Sequence, residues 1–592
     1  MFLFFSENEN IDLDIFSSSA SEEAELSDYE FEDISEERKD EPSDKKRKYS
    51  RGRKEIITEK LSLLLDRCKI SDRDAVRIIS ATAEGFGHDV QNLTISRSTV
   101  RLRRQKFRKQ RALLIKNRFR NSDVESAVLH WDSKLLPGIL NKGSVERLAV
   151  LISCGEEEQL IGVPELENSK GITQAKAVFS ELEQWGAVGN IKGMCFDTTA
   201  VNTGRLNGTC VLLEQLLEKN LLYLPCRHHI LEVVLKSIFD CKMGSTTGPQ
   251  PEIFKRFQAW WPNRDITNYK SGLENEKMRR TINNPEQISS FLLEQLKHQQ
   301  PRDDYKEFLQ LSLVFLGCIK EEEFSFRVPG AIHHARWMAK AIYSLKIYIF
   351  RHQFPLTDSE KNGIEELCLF IINIYVKAWF NAPKGTMAPK QDLELLKSII
   401  NYKKIDKDIS EKALSKFINH LWYLNSEQVA FAFFDETLDK QIKISMALRL
   451  ISFEEVNSEV DEAADNRSIR PQISLNQAHS LLDKELDFFI SPQTYDFFKR
   501  FKIDTSFLKN DPDVWPEIPD YLKGQTIVSG LRVVNDTAER GVKLIQDFNS
   551  CVTKNEDQRQ YLLQVVAECR KLFPGTSKST LSHPLPSLRD TS

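Results

Sequence analysis

The chain reads as a mixed α/β core interrupted by a large all-α insertion and preceded by a small, basic helical region. Three observations lead to this. Between residues 124 and 225, short apolar runs alternate with helical periodicities. From 241 to about 525, apolar residues recur at spacings of three and four. Residues 45 to 120 carry 23 Lys and Arg against 7 acids, a density unlike the rest of the chain.

At 592 residues the chain exceeds what one hydrophobic core usually serves, so at least two folded units plus tails are expected. With 41% hydrophobic and 28% charged residues it can bury a sizeable core, and 35 Phe is a heavy aromatic load. The expected divisions are an acidic tail at 1–44, the basic region at 45–120, a first part of the α/β core at 121–240, the helical insertion at 241–525, a last part of the core at 526–575 and a tail at 576–592. Met1-Phe-Leu-Phe-Phe5 is too short for a signal core, and the run Leu367 to Phe380 is too short for a bilayer and carries Lys377. No membrane role is expected. Ten cysteines without one Cys-x-x-Cys pair argue against a disulfide framework and a four-cysteine zinc site, and fit a reducing interior.

Residues 1 to 44 hold 16 acids against Arg38 and Lys39 and lack periodic apolar positions, so a solvated, disordered tail is expected. The run Lys45, Lys46, Arg47, Lys48 has the density of a nuclear import signal or a phosphate-binding arm. Helices follow at Glu55 to Cys68 and Ser71 to Gly85, with Ser71 as N-cap. A third begins near Ser96 or Ser98 and carries Arg97, Arg101, Arg103, Arg104, Lys106, Arg108 and Lys109. Two short helices and a basic one resemble a helix-turn-helix reader that would bind DNA phosphates with steep salt dependence. A basic helix blind to sequence is the competing reading.

In the core, Val124 to Leu129, Arg147 to Cys154 and Gln159 to Val163 read as strands, the last two as a hairpin around Gly155-Glu-Glu-Glu158. Thr173 to Trp185 reads as a helix, Ile191 to Phe196 as a buried strand, Thr209 to Lys219 as a helix and Leu221 to Pro225 as a strand. This order, three strands, helix, strand, helix, strand, matches a ribonuclease H fold. Acids close two of the apolar runs, Asp132 after Val128-Leu-His-Trp131 and Asp197 after Phe196, and a third, Glu539, stands on a late helix whose stripe is Val534, Ala538, Val542, Ile545 and Phe548. Converging carboxylates are what two Mg²⁺ or Mn²⁺ ions require for phosphodiester chemistry. Each acid alone has a plainer explanation: an Asp at a strand end caps a turn, and Asp536 with Glu539 makes a capping-box pattern.

Between the second and third acids stand Leu224-Pro-Cys-Arg-His-His-Ile-Leu231 and Arg336-Trp337, and Glu539 is followed by Arg540. This ordered series resembles the hAT superfamily of DNA transposases, whose Cys-x-x-His-x-Leu, Arg-Trp and Glu-Arg elements it follows over residues 124 to 570. The resemblance implies a ribonuclease H-like core with Asp132, Asp197 and Glu539 as metal-holding catalytic residues. It places Cys226 and His229 beside the active site and Trp337 against an extruded base. It implies a nuclear protein that cuts and joins double-stranded DNA, at least as a dimer. Two departures mark a divergent branch: no BED zinc finger can be built, and Asp197-Thr-Thr-Ala only loosely follows the family's Asp-Asn-Ala. A domesticated DNA-binding protein without catalysis and a ribonuclease H-type nuclease are the other readings.

Overall fold

The computed structural model describes residues 54–122, 126–138, 143–244, 251–319, 324–330, 338–456, 470–549, 553 and 555–572. The acidic tail, the Lys45 to Lys48 run, Arg336 and Trp337 lie outside the described residues. No described helix is long and apolar enough to cross a membrane.

The architecture is mixed α/β. Strands β1 (Ala127–Pro137), β2 (Ser144–Cys154), β3 (Glu157–Gly162), β5 (Ile191–Phe196) and β6 (Leu222–Pro225) form a sheet ordered β3-β2-β1-β5-β6, and the two-residue β4 (Glu165–Leu166) pairs with β2 off this path. β1, β2 and β3 are antiparallel neighbours, and β5 and β6 run parallel to β1. The expected hairpin turns at Gly155, whose φ of 57° suits a residue without Cβ. β1 is longer than the sequence suggested. Asp132 lies within it rather than at its end, because Asp132 to Pro137 continues the ladder against Ser144 to Ala149.

Alternation along β2 divides the core. Leu148, Val150 and Ile152 join the main apolar cluster with helix α4 (Gly171–Trp185). Ala149 and Leu151 face the other way, onto the helices Asp536–Phe548 and Glu556–Leu572. A Cβ at Gly541 would lie 2.9 Å from Ala149 Cβ, so this glycine sets how closely the Asp536–Phe548 helix rests on β2.

Helices α5 (Ala200–Thr203), α6 (Thr209–Leu217) and α7 (Arg227–Met243) lead into the helical region. This region shares one apolar cluster with the sheet. Phe196, for example, meets Trp131 at 5.6 Å and Trp422 edge-on at 6.4 Å. Much of the phenylalanine load sits here, where Phe433, Phe434, Phe497, Phe498 and Phe507 pack with Trp515 and Tyr521. The Asp358–Phe370 helix begins at a capping box of Thr357 and Glu360.

The N-terminal helices form as their caps dictate. Thr58, Ser71 and Ser96 each accept an N–H three residues on, starting α1 (Glu59–Arg67), α2 (Asp72–Gly85) and α3 (Arg97–Arg120). The structure corrects the reading of two α3 residues. Arg104 and Arg108 do not face DNA: they are 1% and 3% exposed and both donate to Asp66, at 2.6 Å each. Arg104 also bonds Asp72 at 2.7 Å. A 24-residue helix must bury one face, and Arg can do so where its planar fork finds carboxylates. Arg111 pairs with Glu568, which fastens α3 to the last helix. Arg97, Arg101, Lys106 and Lys109 are exposed, and Arg103, half-buried, pairs with Glu55.

Neutralising Asp66 takes the carboxylate from Arg108 and leaves Arg104 with Asp72 alone, so Asp66→Asn is expected to cost about 3–5 kcal/mol in urea unfolding. Arg101→Ala, on the exposed face, should stay within about 0.5 kcal/mol. Equal stability of the two variants would refute the buried pairing.

Candidate active site

The two aspartates come together through strand register. β1 and β5 run parallel with His130 opposite Cys195. Asp132 is two residues past His130 and Asp197 two past Cys195, so both reach the same level just past the last β1–β5 pair, Asp197 beyond the end of β5 and Asp132 partway along β1. Both are half-buried. The Asp197 carboxylate accepts from the Thr199 hydroxyl at 2.9 Å and from Asn202 Nδ2 at 2.5 Å. Asn202 in turn accepts the Trp131 indole N–H at 3.0 Å, which links the ends of β1 and β5.

Glu539 reaches this end of the sheet through a buried junction. The N–H of Asn535 donates to Cys226 Sγ at 3.1 Å, and its Nδ2 donates to the Trp131 carbonyl at 3.0 Å. The Cys226 N–H donates to the Phe196 carbonyl at 2.8 Å, and the Arg227 N–H to the Val533 carbonyl at 3.0 Å. Cys226 therefore couples the end of β5 to the segment that launches the Asp536–Phe548 helix. Burial pushes its thiol well up, which makes it a hydrogen-bond acceptor in packing rather than a nucleophile. His229 lies half-buried on the first turn of α7.

The capping explanation of Glu539 does not hold. Asn535, not Asp536, is the N-cap, and no side-chain cap bond forms. The Asp536 carboxylate instead accepts the Tyr305 hydroxyl at 3.1 Å, with His228 Nδ1 at 3.4 Å. Burial opposes its ionisation, but His228, Arg540 and Tyr305 outweigh burial and hold the carboxyl below the usual range. Glu539 accepts Arg302 Nη1 at 2.6 Å. Arg540 swings to Glu158 on β3, which also accepts the Thr537 hydroxyl, and this fixes the helix against the hairpin.

A cavity of about 710 Å³ lies over this end of the sheet, lined by Asp132, Lys134, Arg302, Arg327, Asp536, Glu539 and Lys543 among others. Asp197 is not among its lining residues. Among the described residues no three His, Cys, Asp or Glu side chains converge closely enough to hold a metal ion. The register fits two metal-facing aspartates, but the third carboxylate is engaged by Arg302, so the set as it stands does not make a two-metal site.

Sequence reading missed Asn202, Arg302 and Asn535. Asn535 had a visible signal, its place directly before the Asp536 and Glu539 capping-box pattern, but that pattern points to Asp536 as the cap. Arg302 had none, because its partner Glu539 lies 237 positions away.

Beneath the site, His130 is wholly buried between Ser153, at 2.7 Å, and Asn535, at 3.4 Å. Burial lowers its pKa to about 4. In comparison with known proteins, no family model matches the chain and no curated protein is similar to it.

Because His130 folds neutral but protonates near pH 6.5 when unfolded, its contribution is whole above that pH and is lost as pH falls toward about 4, about 3 kcal/mol in all. His130→Gln should flatten the acid limb of a urea-stability profile. Identical pH slopes for the variant and the wild type would exclude a buried neutral His130.

Proposed function

We propose that the protein is a cut-and-paste DNA transposase of the DDE type with a ribonuclease H-like core, a divergent relative of the hAT superfamily. The observation that carries this reading is the register that brings Asp132 and Asp197 level on adjacent parallel strands, with the helix of Glu539 stitched to the same sheet end. Carboxylates on rigid strand ends are where phosphodiester chemistry with Mg²⁺ or Mn²⁺ is best served. Asp132, Asp197 and Glu539 are the residues proposed to hold two such ions.

The reaction class is in-line displacement at phosphorus. Water opens a phosphodiester at a transposon end, forming one P–O bond as another breaks and leaving a 3′-hydroxyl. That hydroxyl then attacks a second phosphodiester, first in the flanking DNA and later in the target. Lys134, Arg327 and Lys543 line the cavity and would meet phosphates there, Arg327 by exchanging Asp303 and Lys543 by exchanging Asp547, and Arg97, Arg101, Lys106 and Lys109 offer a second basic face for duplex. Handling two DNA ends calls for a homo-oligomer, at least a dimer, and the Lys45 to Lys48 run for a nuclear address.

A second reading, a DNA-binding protein without catalysis, draws support from the Arg302 contact that engages Glu539. One experiment separates the two. Purified protein with Mn²⁺ and candidate end DNA is expected to nick, and Asp132→Asn, Asp197→Asn and Glu539→Gln each to slow nicking about a hundredfold or more. Salt-sensitive binding without nicking by the wild type would establish the second reading instead, and nicking retained in all three variants would remove the triad.

A further inference from the structure

Resting on the transposase reading, we propose that Arg302 is an internal counter-ion that occupies Glu539 until a DNA phosphate draws the guanidinium away, so that metal binding at the site depends on DNA. Arg302 precedes the Asp303–Phe315 helix, in the loop after the Pro285–Lys297 helix. Its guanidinium bridges two carboxylates: Nη1 lies 2.6 Å from Glu539 Oε2, and Nε and Nη2 lie 3.0 and 2.5 Å from the Asp304 oxygens. The Asp304 contact is local, whereas the Glu539 contact joins the helical region to the core.

The chemistry of the pair argues for exchange rather than permanent bracing. Arg302 keeps 28% of its side chain exposed and opens onto the cavity that Asp132 and Glu539 share, so ligands can reach it. Its side chain packs over the Tyr305 ring at 5.6 Å, and the Tyr305 hydroxyl bonds Asp536. That ring would keep its place if the guanidinium turned outward. A divalent cation and a guanidinium compete for one carboxylate, and a phosphate offers the guanidinium a bidentate alternative. While Arg302 sits on Glu539, the third carboxylate is taken up in an ion pair. By linkage, DNA and metal must then raise each other's affinity by the same factor.

The test is Mn²⁺ titration of the full-length protein, read by the EPR signal of free Mn²⁺, with and without a mixed-sequence DNA duplex. Arg302→Gln is expected to bind Mn²⁺ about tenfold more tightly than wild type in the absence of DNA and to gain little when DNA is added. Wild type should gain that factor from DNA, and Arg302→Lys, which keeps the charge, should stay close to wild type. Tighter binding by Arg302→Gln should vanish in the double variants with Asp132→Asn or Glu539→Gln. Equal Mn²⁺ affinity of wild type and Arg302→Gln without DNA, at a site still sensitive to Asp132→Asn, overturns the counter-ion role and leaves the metal site standing. No Asp132-dependent Mn²⁺ binding by any form overturns both.

Discussion

The structure around the candidate site depends on one buried residue, Asn535. Its backbone N–H, its amide and its side-chain oxygen face Cys226, the Trp131 carbonyl and His130, so a single residue ties β1 and, through Cys226, the end of β5 to the helix that carries Glu539. These partners are 309, 404 and 405 positions away in the chain. Closing such distances costs less than their length suggests, because loop entropy grows only by about 0.6 kcal/mol per doubling of length. A region of nearly 300 residues can therefore be carried between α7 and Asn535, provided the two ends of the excursion are fixed. Leaving the buried amide groups at that junction unpaired would cost more than the additional length.

The Cys226 to His229 run is best understood as a three-way joint. Cys226 holds the segment before the Glu539 helix, and Arg227 turns into the helical region, where it pairs with Asp392 at 2.6 Å and bonds the Ala382 carbonyl and Gln391. His228 stacks on Trp379 at 3.9 Å while its Nδ1 faces Tyr305 and Asp536. Successive residues at a helix start point about 100° apart, so three neighbours can serve three different bodies. A short motif at this position is thus a mechanical necessity before it is a chemical one. The same logic explains α3, where Arg104 and Arg108 are committed inward to Asp66 and only the outer arc remains for another partner.

How much of this was legible in the sequence follows from the range of each interaction. The strands, the hairpin at Gly155 and the caps at Ser71 and Ser96 are local, fixed by residues a few positions apart, and could be read directly. Asp132 and Asp197 were legible as candidates because each follows an apolar run, but their shared level is a property of pairing, visible only in the register. The basic helix misled for the opposite reason. Counting charges cannot separate an arginine facing solvent from one whose carboxylate lies 38 or 42 positions away. Nor can an apolar pattern show whether a helical excursion keeps its own core, since sharing one with the sheet depends on contacts such as Phe196 with Trp422.

The charge around the cavity explains why an arginine should stand where it does. Asp132, Asp303, Asp304, Asp536 and Glu539 all line one partly enclosed space. In such a setting ionised carboxylates repel strongly, since interactions are less screened than in water. Protonation is one remedy, but Asp536 is held ionised by His228 and Tyr305, so the cavity needs cations instead. Arg540 is spent on Glu158 and Arg327 reaches Asp303 alone, whereas Arg302 bridges two of these acids, Asp304 and Glu539. A site proposed to gather hard cations must be neutral enough to fold without them, and a guanidinium on a loop meets that need without closing the position permanently.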